Sequence, residues 1–153
     1  RHPAQPTGRT DRGDRGGASR RPGRSVIYLD TSVALAHLLG ETRRPPESLW
    51  SEPLVASRLL QYELWNRLNG RGLGVSHGED ARQLLGMVAL VELAPAVLAR
   101  ALDPFPVPVR TLDAIHLATL EFLRAQGHGA PLASYDDRLV AAATAIGIPT
   151  WPA

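Results

Sequence analysis

At 153 residues the chain is long enough for one domain with a proper core, and it contains no cysteine, which excludes a disulfide framework and a thiolate metal site. All 17 basic residues are arginine, unevenly placed: residues 1–25 hold seven arginines and two aspartates, a net of +5, whereas residues 26–153 hold ten arginines against thirteen acids, a net of −3. The pI of about 9.7 therefore reflects the N-terminal segment, and charge alone makes no case for nucleic-acid binding by the body of the chain.

No apolar run approaches the length of a membrane span, and the lack of cysteine fits a cytoplasmic protein. Residues 1–25 are arginine, glycine, proline and small polar residues with almost nothing to bury. This stretch is expected to be a disordered basic segment, and it lacks the apolar core of a secretory signal. A folded domain is expected over residues 26–153. Val26-Ile27-Tyr28-Leu29 suits a buried strand, and Asp30-Thr31-Ser32 offers capping chemistry for a helix running to Leu39 and stopped by Gly40. A short helix is expected around Glu47 to Ser51, then a strand at Leu54-Val55-Ala56. Ser57 is placed to cap a helix through Glu63 to Asn69.

Ser76 and Glu79 have capping-box spacing for a helix from Ser76 to Val88. Leu90 to Leu93 reads as a strand, Ala96 to Leu102 as a helix, and Pro104, Pro106 and Pro108 as an extended connector. A long helix from Thr111 to Gln126 ends at Gly127. Leu132-Ala133-Ser134 reads as a strand, Asp136 to Ile146 as a helix and Ile148 to Trp151 as a last strand. Short strands alternating with helices predict an α/β domain with a parallel sheet.

Particular carboxylates stand out by address. Asp30 and Asp136 each follow a buried strand, where sites form in open parallel sheets. Glu63 lies in the helix after the second strand, and Asp113 in the first turn of the long helix. Each has a plainer reading: Asp30, Asp113 and Asp136 as helix-terminus residues worth roughly 0.3–2 kcal/mol, and Glu63 as an i,i+4 partner of Arg67. Hard carboxylate oxygens suit Mg2+ or Mn2+, and no Cys/His cluster with zinc spacing exists.

The run from Tyr28 through Asp30-Thr31-Ser32 to Leu35 resembles the opening motif of PIN-domain nucleases. Ser57-x-x-x-x-Tyr62-Glu63-Leu64 resembles their second motif, Leu112-Asp113-Ala114-Ile115-His116-Leu117-Ala118-Thr119 their third, and Ala133-Ser134-Tyr135-Asp136-Asp137-Arg138-Leu139 their closing one. The likeness extends from Ser25 to the C-terminus and is strongest to the VapC group, toxins of type II toxin–antitoxin pairs. It implies a three-layer α/β/α fold around a short central parallel sheet, and hydrolysis of RNA by a carboxylate-bound metal. Asp30, Asp113, Glu63 and Asp136 would be the ligands. A cognate antitoxin, an RNA substrate and a homodimer are implied as partners. Of the adjacent acids, Asp136 is chosen over Asp137 because it stands two residues after Ser134. An antitoxin helix is expected near the apolar helices Val33–Leu39 and Leu59–Leu68.

Around the acids, Thr31 and Ser32 hydrogen-bond a carboxylate, contact phosphate or simply serve as helix N-caps, and Arg110 either clamps a phosphate or pairs with Asp113. His116, flanked by Ile115 and Leu117, reads more readily as a satisfied buried histidine than as a general base. The alternatives are a PIN nuclease of RNA processing and a catalytically silent PIN-like scaffold. A phosphoaspartyl phosphatase would need an aspartate where Ser32 stands.

Overall fold

The computed structural model describes residues 25–153; the expectation for the basic segment at residues 1–24 lies outside the described residues. Strand β1 (Ile27–Leu29) leads into helix α1 (Thr31–Leu38), and a 3-10 turn at Glu47–Ser51 precedes β2 (Leu54–Ser57). Then come α2 (Leu59–Gly70), α3 (Gly78–Gly86), β3 (Val88–Val91), α4 (Pro95–Leu102), α5 (Thr111–Ala125), β4 (Leu132–Ala133) and α6 (Asp137–Ala145). The sheet is parallel throughout, in the order β3-β2-β1-β4.

The period of two along buried strands builds two cores. Ile27, Leu29, Leu54 and Ala56 face one side, with Leu60, Leu64 and Leu68 of α2 and Ala81 and Leu84 of α3. Tyr28 and Val55 face the other, with Leu117 and Leu120 of α5 and Leu139, Ala142 and Ala143 of α6. Helices thus cover both faces in the three-layer α/β/α arrangement. No helix among the described residues is long and apolar enough to cross a membrane.

Several local expectations are corrected. The capping box does not form: the Ser76 hydroxyl turns back to the Leu73 carbonyl at 3.3 Å, and α3 begins after His77 without a side-chain cap. The third strand starts two residues earlier than expected, because Val88 pairs with Leu54 and Val91 with Ser57. The last strand shrinks to a single bridge between Leu132 and Thr150. Of the apolar residues of α1 and α2, Val33, Ala34, Leu60, Leu64 and Leu68 are buried in the domain's own core, while Leu35, Leu38 and Leu39 are partly buried against it. An apolar groove of about 960 Å³ lies elsewhere, between α4 and the proline connector, lined by Leu98, Leu102, Phe105, Val107 and Ile115. Leu102 in it is 89% exposed.

The strand order positions the site. From β1 the chain moves outward through β2 and β3, then returns to place β4 on the other side of β1. Connections therefore diverge between β1 and β4. At such a switch point a crevice opens beyond the carboxyl ends of the strands. Asp30 follows β1 there, and Ser134 and Asp136 follow β4.

Candidate active site

Asp30 is the N-cap of α1, in extended conformation, and is only 5% exposed. Its Oδ2 accepts from the Ser32 backbone N–H at 3.2 Å, the Ser32 hydroxyl at 2.5 Å and, across the switch point, the Ser134 hydroxyl at 2.8 Å. The two serines are tied further, since the Tyr135 N–H donates to Ser32 Oγ and the Asp136 N–H to Ser134 Oγ. A buried carboxylate needs donors of this kind to remain charged.

Glu63 is held from two directions. Its Oε1 accepts from the Thr31 hydroxyl at 3.1 Å and lies 2.6 Å from His116 Nε2. The plainer reading of Glu63, an i,i+4 pair with Arg67, is not formed among the described residues; partners from other helices take its place. Thr31 and Ser32 accordingly use their hydroxyls on acids, the first of the three roles open to them. Asp136 caps α6, its Oδ1 accepting from the N–H groups of Arg138 and Leu139. Asp113 sits in the first turn of α5 with no hydrogen bond among the described residues. Burial raises its carboxyl above the usual aspartate range, and the charges of Asp136 and Asp30 raise it further against the opposing Arg110. Arg110 is close enough to be felt, but forms no ion pair with Asp113.

His116 is 1% exposed and engaged at both ring nitrogens. Its Nδ1 lies 2.8 Å from the Tyr28 hydroxyl, which also accepts the Ser57 backbone N–H at 3.1 Å. Burial opposes charging of the imidazole, but the Glu63 hydrogen bond and the charges of Asp30, Glu63 and Asp113 raise its pKa above the ordinary value. Burial likewise drives the Tyr28 phenol well above the ordinary tyrosine range. The buried-histidine reading therefore holds, with an added role: the ring fixes Glu63.

All four acids line one cavity of about 430 Å³, together with Thr31, Ser32 and Arg110. Asp137, in the first turn of α6, does not line it. Asp30 Oδ1, Glu63 Oε2 and Asp136 Oδ2 accept no hydrogen bond among the described residues, since the hydrogen bonds occupy only the other oxygen of each; His116 Nε2 lies 4.0 Å from Asp30 Oδ1. Donors of this hard, anionic type fit Mg2+ or Mn2+. Even so, no group of three or more acidic or histidine side chains among the described residues is already drawn into metal-holding range. Side-chain adjustment would accompany any ion that entered.

Sequence reasoning missed Tyr28 and Ser134 as supports, and Arg67 and Arg71 as lining residues. Arg67 had a legible signal, since it follows Glu63 at i+4 on the same helix, whereas Arg71 lies just past the helix as its C-cap. Tyr28 and Ser134 stand within the quoted motifs, but nothing in the sequence assigned them a hydrogen-bond partner.

The PIN domain family model matches residues 27–145. Ribonuclease VapC46 of Mycobacterium tuberculosis is 33% identical over 132 residues, covering 81% of this chain and 95% of that protein. Among solved structures, Mycobacterium tuberculosis VapC20, a sarcin-ricin loop cleaving toxin, matches with a TM-score of 0.61 at 21% identity, over 83% of this chain and 99% of that one. A toxin–antitoxin complex from Klebsiella pneumoniae matches with a TM-score of 0.57 at 15% identity, over 83% and 98%. At these identities the structural likeness is one of fold; the family model and the 33% identical relative go further. The chain belongs to the PIN-domain family, within its VapC group.

Proposed function

We propose that this chain is a metal-dependent endoribonuclease that hydrolyses RNA phosphodiester bonds as the toxin of a type II toxin–antitoxin pair. The observation that carries the reading is the meeting of Asp30, Glu63, Asp113 and Asp136, from four separate motifs, around one cavity at the switch point of the sheet. A divalent cation bound there would neutralise charge on the phosphate and lower the pKa of a water. The protein's part is to hold the carboxylates. Ser32 and Ser134 fix Asp30, Thr31 and His116 fix Glu63, and the amides of α6 fix Asp136. Such support limits the reorganisation left for the reaction itself. Arg110, at the N-cap of α5 and on the cavity wall, is placed to take a phosphate oxygen.

The test is cleavage of a single-stranded RNA by the purified chain with and without a chelator. Cleavage is expected with Mg2+ or Mn2+ and should vanish in EDTA. Cleavage that persists in EDTA, or none at any metal concentration, would sink the reading. A catalytically silent scaffold predicts the second result.

The toxin assignment implies a protein partner. Arg110 and Thr111 line both the acid cavity and the apolar groove beside α4, so a segment lying in that groove would lead into the acids. An amphipathic antitoxin helix fits the groove, with an arginine reaching the carboxylates. Co-expression with a small protein encoded next to this one should yield a co-purifying complex with suppressed cleavage. Light scattering on that complex also reads whether two copies of the 16.5 kDa chain are present, as a homodimer requires. A neighbour that neither co-purifies nor inhibits would leave a nuclease but not a toxin.

A further inference from the structure

The arginines of the domain are partitioned in a way the acids do not explain. Arg43 lies over the Tyr135 ring, and Arg44 donates to the carbonyls of Gly40 and Glu41. Arg58 pairs with Glu92, Arg82 with Glu79, Arg100 with Glu121, and Arg124 donates to the Ile146 carbonyl. Among the described residues this leaves Arg67, Arg71, Arg110 and Arg138 with no acid, ring or carbonyl partner for the guanidinium. All four stand around the acids. Arg67, Arg71 and Arg110 line the acid cavity, while Arg138 lines an adjoining one that shares Arg110 and Asp113 with it.

Unpaired guanidinium groups beside a cavity rich in carboxylates would ordinarily collapse onto those carboxylates, since opposite charges attract at short range. Here Asp30 and Glu63 are already held by Ser32, Ser134, Thr31 and His116, and Asp136 by the amides of α6; Asp113 has no hydrogen bond among the described residues, and Arg110 forms no ion pair with it. Arg67 stands one turn beyond Glu63 on α2, and Arg71 is the residue that ends that helix, at its C-cap. Arg138 stands on the opposite flank, at the start of α6. The domain from residue 26 onward carries a net charge of −3, so a polyanion would be repelled overall unless local cations received it.

We propose that Arg67, Arg71 and Arg138, with Arg110 between them, form a phosphate track across the acid cavity. The track grips the backbone of a single-stranded RNA on both sides of the bond to be cut. The proposal rests on the nuclease reading above. A recessed cavity of about 430 Å³ accommodates a splayed single strand better than a stiff duplex. Guanidinium contacts to phosphate carry no base information, so the track supplies affinity and register and leaves sequence choice to other groups.

Counterion release makes this measurable. Each phosphate neutralised on a single strand contributes about −0.7 to the slope of log affinity against log salt. The experiment measures kcat and KM for a mixed-sequence single-stranded RNA across roughly 50–200 mM NaCl. It compares the full-length wild type with R67Q, R71Q, R138Q and the double variant R67Q/R71Q. Each single variant should raise KM rather than lower kcat and flatten the slope by about 0.7, and the double variant by about 1.4. Over that fourfold salt range, each lost contact makes the fall in affinity roughly threefold smaller. R82Q, which removes an arginine paired with Glu79 away from the cavity, should keep the wild-type slope. Slopes that stay at the wild-type value, or a loss confined to kcat, would overturn the track and leave the nuclease intact. Absence of cleavage by the wild type would overturn the nuclease reading itself.

Discussion

Asp30→Asn is expected to reduce metal-dependent RNA cleavage by at least about a hundredfold while leaving the protein folded. The three donors on Asp30 come from Ser32 and Ser134 and all reach Oδ2. An asparagine amide oxygen accepts from the same donors, so the junction between β1 and α1 keeps its hydrogen bonds. What disappears is the charge, together with the free acceptor at Oδ1. Asp113→Asn should lose activity as severely, with a different effect on stability. The folded-state pKa of Asp113 is raised by burial and by Asp136 and Asp30, so the folded protein binds this proton more readily than the unfolded chain does. Stability from this group is present below the ordinary aspartate pKa and is lost as pH rises through the raised value. At neutral pH in the absence of metal, Asp113→Asn should therefore melt at or above the wild-type temperature. That advantage should disappear once the pH falls below the carboxylate range. Wild-type cleavage by either purified variant at matched metal would count against the site. A lower melting temperature for Asp113→Asn at neutral pH would count against the electrostatic account of Asp113.

The parts of this fold that were legible in the sequence are those governed by neighbours in the chain. Asp30 and Asp136 are capping residues as read, because a carboxylate before a helix finds N–H groups two and three residues ahead. Gly40, read as the stop of the first helix, stands in the left-handed region and is equally local. The capping box at Ser76 does not form because α3 begins at Gly78, which makes His77 rather than Ser76 the N-cap residue. The register of β3 is set by pairing with β2 rather than by its own residues, which is why its start is shifted. Glu63 shows the limit most clearly. Sequence spacing offers it Arg67, while the fold brings in Thr31, 32 residues away, and His116, 53 residues away. Hydrogen bonds in a half-buried setting prevail over an exposed ion pair, which is worth only about 0.3–0.5 kcal/mol on a helix. The motifs that named the acids also contain Thr31, Ser32, His116 and Ser134, but which of them meets which carboxylate is decided by the fold.

The buried chain behind Glu63 leads to the second large expected effect, the destabilisation caused by Tyr28→Phe. The Tyr28 hydroxyl accepts the Ser57 N–H where β2 ends and is joined to His116 Nδ1, with both partners buried. When His116 is neutral and donates from Nε2 to Glu63, the phenol donates to Nδ1. When His116 is charged, both ring nitrogens donate and the phenol oxygen accepts. Phenylalanine fills the same space yet leaves the Ser57 N–H and Nδ1 of the imidazole unpaired in either state. An unsatisfied buried group costs about 1–3 kcal/mol, so the variant should lose about 2–4 kcal/mol. Its melting temperature should fall by roughly 10 °C. Because the loosened imidazole no longer fixes Glu63, cleavage should fall as well, even at temperatures where the variant remains folded. Tyr135→Phe serves as the contrast. The Tyr135 hydroxyl is buried and has no hydrogen-bond partner among the described residues, so its removal should cost almost nothing. Equal stability losses in the two variants would mean that the methods detect only the loss of a hydroxyl. A loss below about 0.5 kcal/mol for Tyr28→Phe, within the range of ordinary surface changes, would show that the Ser57–Tyr28–His116 chain does not hold the site.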